Sequence, residues 1–241
     1  MMTTVEVHLP ADLADLSENL AATALTLARR FSAGATMWCV SPGWASHGGH
    51  VAVEFVHPVI VGKRSLPSVQ VGGAEAAAVL RTSCRPGDVL LAVSAADDAV
   101  TGDLLRRAEA WGLTRLWLGA GPPPPGGHAE HVVWLGDRDA ADAACSGDVV
   151  MLYHLLWELT HVVFEHPGLL IESACTDEVC ITCSDQGEVA EVRALRPDGR
   201  AEVVVGGGVR EVDTSLIAPV QPGDLIMIHA GVAITGLGEA Q

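Results

Sequence analysis

The sequence is poor in basic residues. Fourteen lysines and arginines stand against thirty aspartates and glutamates, a formal charge of −16. A surface of that sign repels phosphate backbones, which excludes nucleic-acid binding, and it disfavours anionic membranes for the same reason. Long apolar runs are also missing. The longest, Val149 to Phe164, is broken by His154, Glu158 and His161 and is too short and too polar to span a bilayer. The opening segment, Met1 to Val7, has neither a basic region nor an apolar core. No signal peptide is therefore expected, and the chain reads as cytoplasmic. The six cysteines form no compact framework, so they read as reduced thiols. Cys39, Cys84 and Cys145 are then most simply small buried residues. There are no long internal repeats.

What is present is apolar material for more than one core. With 241 residues, 49% of them hydrophobic, two domains are the natural expectation. Leucines at helical spacing between residues 10 and 30 predict one or two amphipathic helices. Short apolar runs at 35–40, 88–94, 115–119 and 131–135 predict strands, and helices are predicted near 46–56, 101–111 and 145–164. That alternation specifies a parallel α/β sheet with helices on both sides, over residues 1–168. The proline run Pro122 to Pro125 can only be a stiff surface loop. Residues 169–178 read as a connector. Beyond it the texture changes to β-branched runs cut by Pro197-Asp198-Gly199, Gly206-Gly207-Gly208 and Pro222-Gly223-Asp224, the spacing of a small β-barrel over 179–241.

Two features carry chemistry. Cys180 and Cys183 lie three apart, and alone such a pair is equally a metal or redox site or two thiols on a strand edge. His229 ends an apolar run and is followed at once by the small-residue loop Ala230-Gly231. A single histidine is more often structural than a ligand.

Together these pieces resemble the HypC/HupF family of small chaperones that assemble the iron centre of [NiFe]-hydrogenases. Cys180-Ile181-Thr182 is similar to the family's opening, and Gly187-Glu188-Val189 to its first strand. Gly207 to Val212 is similar to its internal hairpin, and His229 to Ile234 to its closing signature. The family's cysteine sits beside the chain start, whereas Cys180 is internal and is followed by a longer loop with Cys183 and Asp185. The resemblance implies a small OB-like barrel and a metal role for Cys180, helped by Cys183 and His229. The cargo would be iron carrying cyanide and carbonyl ligands. The implied partners are the iron–sulfur scaffold of the maturation complex and the hydrogenase large-subunit precursor.

The first two thirds resemble sugar isomerase (SIS) domains of the phosphoheptose isomerase branch. His50 to Pro58 is similar to that branch's His-Phe-Ala-x-Glu-Leu segment, and His154 to Leu159 to its closing helix. The resemblance implies a three-layer fold and a zinc or other divalent ion held by His50, Glu54 and His154. His50 and Glu54, at i and i+4, share a helix face. The branch's glutamine falls on Ser146. Its phosphate loop becomes Ser94 to Ala99, where Asp97 and Asp98 oppose a phosphate. Glu158, His161, Glu165 and His166 continue the closing helix as a polar, solvated or subunit-facing stripe. The abundance of apolar positions on that helix predicts a homo-oligomer formed by the first domain, with the barrel tethered outside it. A metal-dependent sugar-phosphate isomerase and a purely oligomerising first domain are the alternative functions.

Overall fold

In the computed structural model the described residues are 11–73, 75–136, 139–170, 187–217, 219–229 and 231–237. Five parallel strands form the central sheet: β1 (Met37–Val40), β2 (Ser68–Gln70), β3 (Val89–Val93), β4 (Thr114–Ala120) and β5 (His131–Leu135). Their order is β2-β1-β3-β4-β5. The strands are apolar without alternation because both faces are covered, as parallel sheets require. Every residue of β3 is buried. Within each strand alternate side chains face opposite sides, and Cys39, Leu91 and Leu118 face one core with α1 (Ala11–Ser32), α2 (Ala45–Val56) and α6 (Gly147–Glu165). Their neighbours Val40, Leu90 and Trp117 face a second core with α3 (Ala76–Ser83) and α4 (Ala99–Ala110). The three-layer expectation holds.

β2 and α3 were not expected. β2 is three residues of mixed polarity and α3 eight residues, both too short for periodicity to register. The short helix α5 (Ala140–Ala143) begins at Asp139, whose side chain accepts from the Ala141 and Asp142 amides. Cys39 is buried as expected, but Cys84 is half-buried and Cys145 exposed. Cys145 sits in the turn between α5 and α6, outside either core. His161 is likewise not on a solvated stripe. It is buried, with its ring nitrogens 2.9 Å from the Trp157 carbonyl and 3.0 Å from that of Arg64. Glu158 and Glu165 instead flank Lys63, at 3.4 and 2.9 Å.

Residues 188–236 close into a barrel of order β10-β8-β7-β6-β9. Its strands are β6 (Glu188–Leu195), β7 (Arg200–Val205), β8 (Gly208–Asp213), β9 (Leu225–His229) and β10 (Val232–Gly236). Alternate residues Ala190, Val192, Val203, Val205, Ile226 and Ile228 fill its interior. Closure removes the exposed strand edges that invite aggregation.

The expectation of a barrel tethered outside the first domain is wrong. The barrel is seated on α4. Glu191, 3% exposed, accepts from the Trp111 indole and lies 3.3 Å from Arg107 and 3.6 Å from Arg81. Arg107 also donates to the Gly223 carbonyl at 2.8 Å. The Gly207 amide donates to the Ala110 carbonyl at 2.9 Å, and Leu225 joins the α4 core. This approach needs glycine. A Cβ on Gly112, whose φ is +75°, would stand 2.8 Å from the Gly206 carbonyl group.

His131, at the α1–β5 contact, makes a 2.9 Å hydrogen bond with the Thr26 hydroxyl. Burial holds its pKa below the ordinary histidine value, against a smaller opposing effect of Glu130. In the unfolded chain the ring therefore gains its proton at a higher pH than in the folded one. Its contribution is intact above about pH 6.5 and is lost as pH falls below it. Urea melts at pH 7.5 and 5.5 should show a smaller acid loss of stability in His131→Gln than in the wild type.

Candidate metal centre and thiolate site

α2 and α6 lie side by side on the first core, and their exposed edges bring three ligand atoms together. His50 Nε2 is 3.3 Å from Glu54 Oε1, His154 Nε2 is 3.4 Å from His50 Nε2, and His154 Nε2 is 3.5 Å from Glu54 Oε1. These separations suit an ion. Zinc bonds of about 2.0–2.1 Å directed to tetrahedral corners put neighbouring ligand atoms roughly 3.3–3.5 Å apart. Two imidazoles and one carboxylate leave a fourth position open, the pattern of a catalytic rather than a closed structural zinc site. The three residues predicted from sequence are thus brought together.

Tyr153 is a residue that sequence reading missed. Its hydroxyl lies 2.8 Å from His50 Nδ1. When Nδ1–H donates to Tyr153, the lone pair of Nε2 is free to face an ion, the usual arrangement around a ligating histidine. Burial, and then the nearby Glu54 carboxylate, push the Tyr153 hydroxyl up to about 12, so it stays protonated. The signal was present in sequence, since Tyr153 precedes His154. Only the crossing of α6 over α2, however, shows that it serves His50. Ser146, at the position of the family glutamine, is instead the N-cap of α6, accepting from the Asp148 amide at 3.3 Å.

Where a phosphate would approach α4, the helix start is already capped. Asp98 accepts from the Thr101 amide at 2.8 Å. Its second oxygen closes on Gly43, where an added Cβ would stand 2.9 Å away. A carboxylate of this chain therefore occupies the helix end that would otherwise attract an anion.

The barrel side is separate. It docks on α4, across the sheet from α2 and α6, so His229 is not brought to His50, Glu54 and His154. His229 ends β9 and pairs with Val232 of β10 across a hairpin that contains Gly231 at φ +82°. β6 runs antiparallel alongside, with Glu188 opposite Ile228. The chain therefore enters the barrel next to His229. An added Cβ on Gly187 would meet Met227 Sδ at 2.9 Å. Cys180 and Cys183 lie outside the described residues. Cys180 precedes Gly187 by seven residues, a reach of at most about 25 Å.

With the barrel and its histidine in place, the sequence comparison is decisive for this segment. Residues 186–241 match the HupF/HypC family. The HupF/HypC match begins downstream of both cysteines and includes His229 and all five barrel strands. Over the α/β part, a phosphoheptose isomerase from Francisella tularensis superposes with a TM-score of 0.53 at 12% identity, covering 63% of this chain and 91% of that one. The phosphoheptose isomerase of Neisseria gonorrhoeae gives 0.47 at 13% identity, covering 62% and 90%. At such identities the likeness is one of fold. No curated protein sequence matches the chain. Among the described residues, no helix is long and apolar enough to cross a membrane.

Proposed function

We propose that the protein is a maturation factor for [NiFe]-hydrogenase that acts in the cytoplasm. In this reading it carries an iron with two cyanides and one carbonyl on the Cys180 thiolate and hands it on. The observation that supports this most is the HupF/HypC match over a closed barrel whose histidine sits beside the incoming chain. A thiolate is a soft, electron-rich donor suited to low-spin iron. Transfer is a ligand exchange: the bond from iron to Cys180 sulfur breaks as one to a receiving thiolate forms, and iron keeps its oxidation state. The receiving thiol's proton passes to Cys180, with His229 as relay or neighbouring ligand and Cys183 as helper. The donors and acceptors would be the iron–sulfur scaffold of the maturation complex and the hydrogenase large-subunit precursor. Protein purified from a hydrogenase-producing host should show cyanide and carbonyl stretching bands in the infrared. Their absence in protein that is otherwise folded would remove the cargo role.

The α/β part we read as the assembly module of a homo-oligomer. α6 leaves Met151 59% and Leu155 44% exposed, and Val53 on α2 is 55% exposed, an apolar strip around the three-ligand cluster. Light scattering on the full chain tests this, and a monomer at high concentration would refute it.

A second reading, a metal-dependent sugar-phosphate isomerase, is favoured by the ligand geometry of His50, Glu54 and His154. These residues would hold a divalent ion, which would polarise a carbonyl oxygen of the substrate, while Glu54 or a histidine would move the proton. Asp97 and the capping Asp98 weigh against it, since each carboxylate opposes a phosphate dianion by roughly 1 kcal/mol even where water screens well. Zinc should bind the wild type and bind Glu54→Gln at least about tenfold more weakly. Heptose and hexose phosphates should nevertheless not be turned over. Brisk isomerisation that disappears in Glu54→Gln would make the second reading the correct one.

A further inference from the structure

A cavity of about 770 Å³ opens between α3 and α4 at the carboxyl ends of β1 and β2. That volume suits a small organic molecule, and this end of a parallel sheet is where such molecules bind. Its walls are mostly apolar and include Val40, Val71, Ala77, Val100 and Leu104. It lies across the sheet from His50, Glu54 and His154, and neither the barrel nor the metal reading uses it.

Two charged side chains line it, Asp103 and Arg106. Asp103 is engaged, 2.7 Å from Arg107 Nε. Arg106 is not fully used. Its terminal nitrogen donates to His128 Nε2 at 3.3 Å, and it stands 3.8 Å from Asp103, but its Nε–H is enclosed and has no partner among the described residues. An arginine can only donate, so His128 Nε2 is the acceptor and the ring proton sits on Nδ1. That Nδ1–H is also enclosed and without a partner among the described residues. Both of these atoms are shut off from the cavity, so what Arg106 offers it is the end of the guanidinium, on a side chain that is 37% exposed and whose carboxylate neighbour stands at 3.8 Å. A group that only accepts, and carries one charge, would pair with that end. A carboxylate does this through the planar fork that a guanidinium matches best. A phosphate dianion would meet the additional repulsion of Asp103 and Asp98.

We propose that the α3–α4 cavity binds a small organic monocarboxylate with an apolar body, its carboxylate on Arg106. Occupancy would also be felt by the barrel. Arg81 from α3 and Arg107 from α4, the helices on either side of the cavity, meet on Glu191 of β6, and Trp111 donates to the same carboxylate.

The test is isothermal titration of the full chain with hexanoate, hexanamide and hexyl phosphate. Hexanoate should bind, and hexanamide and hexyl phosphate should each bind at least about tenfold more weakly. Arg106→Gln should weaken hexanoate by a similar factor. Ala99→Leu, which fills the mouth of the cavity from an exposed position at the start of α4, should abolish binding with the melting curve unchanged. Tryptophan fluorescence should shift with hexanoate in the wild type and not in Ala99→Leu. No binding of hexanoate to the wild type would overturn the proposal, as would equal binding of hexanamide or undiminished binding by Arg106→Gln. None of these outcomes depends on hydrogenase maturation.

Discussion

Replacing Cys180 by alanine is expected to abolish hydrogenase maturation, and with it the infrared bands of cyanide- and carbonyl-bearing iron, while leaving the fold intact. The effect should be large because the buried and half-buried thiols of the α/β part cannot stand in for it. Cys39 is buried, and burial pushes its thiol up to about 12, so it carries almost no thiolate at neutral pH. Cys84 is pushed up to about 11 by burial, with a smaller push from Asp88. Neither offers the ionised sulfur that iron needs. Cys183 is the nearby alternative, and Cys183→Ala should reduce loading without eliminating it. His229→Ala should slow transfer more than loading, since its role lies in the exchange. Undiminished bands in Cys180→Ala, in protein with an unchanged circular dichroism spectrum, would refute the thiolate assignment.

The largest stability effect is expected at Glu191. This carboxylate is enclosed between the barrel and α4, where it accepts from Trp111 and faces Arg107 and Arg81. Removing one member of such a group leaves its partners without compensation, at a cost of roughly 3 kcal/mol or more. Arg107 retains Asp103 at 2.7 Å and the Gly223 carbonyl at 2.8 Å, which moderates the loss. Glu191→Ala should thus lower the urea midpoint and split a single transition into two, as the barrel and the α/β part lose their coupling. Glu191→Gln, which still accepts from Trp111, should fall between. A Glu191→Ala variant that melts with the wild type would show that the seating rests on the contacts left in place, among them Leu225, the Arg107–Gly223 bond and the glycine contact.

The parts legible in sequence were those governed by local rules. Buried parallel strands read as unbroken apolar runs, so β1, β3, β4 and β5 were each anticipated within a residue or two of their observed ends. The resemblance to the phosphoheptose isomerase branch named His50, Glu54 and His154, the i, i+4 spacing agreed for the first two, and the structure gathers all three. Glycine-bearing turns at 197–199, 206–208 and 222–224 marked out the barrel.

What escaped were relations between elements. Glu191 stands on β6 between Ala190 and Val192, and strand alternation assigns it to solvent. It is buried only because another unit covers that face. Trp111 at the end of α4 reads as ordinary core, and nothing local shows that its indole reaches across to the barrel. Tyr153 likewise gains its meaning from α2, some hundred residues earlier in the chain. Residues 206–208 read as a turn opening the barrel's internal hairpin, and nothing local shows that they also press against Gly112 and Pro86.

That glycine contact has a mechanical consequence. Backbone meets backbone there, and φ is positive on both sides, +75° at Gly112 and +76° at Gly207, so neither surface can slide without losing its fit. The barrel cannot swing on its connector like a weight on a string. In the proposed role, a receiving protein would meet the barrel and the flank of α4 together. Selectivity among receivers then becomes a question of steric footprint: a receiver that fits an isolated barrel but clashes with α4 is turned away before chemistry begins.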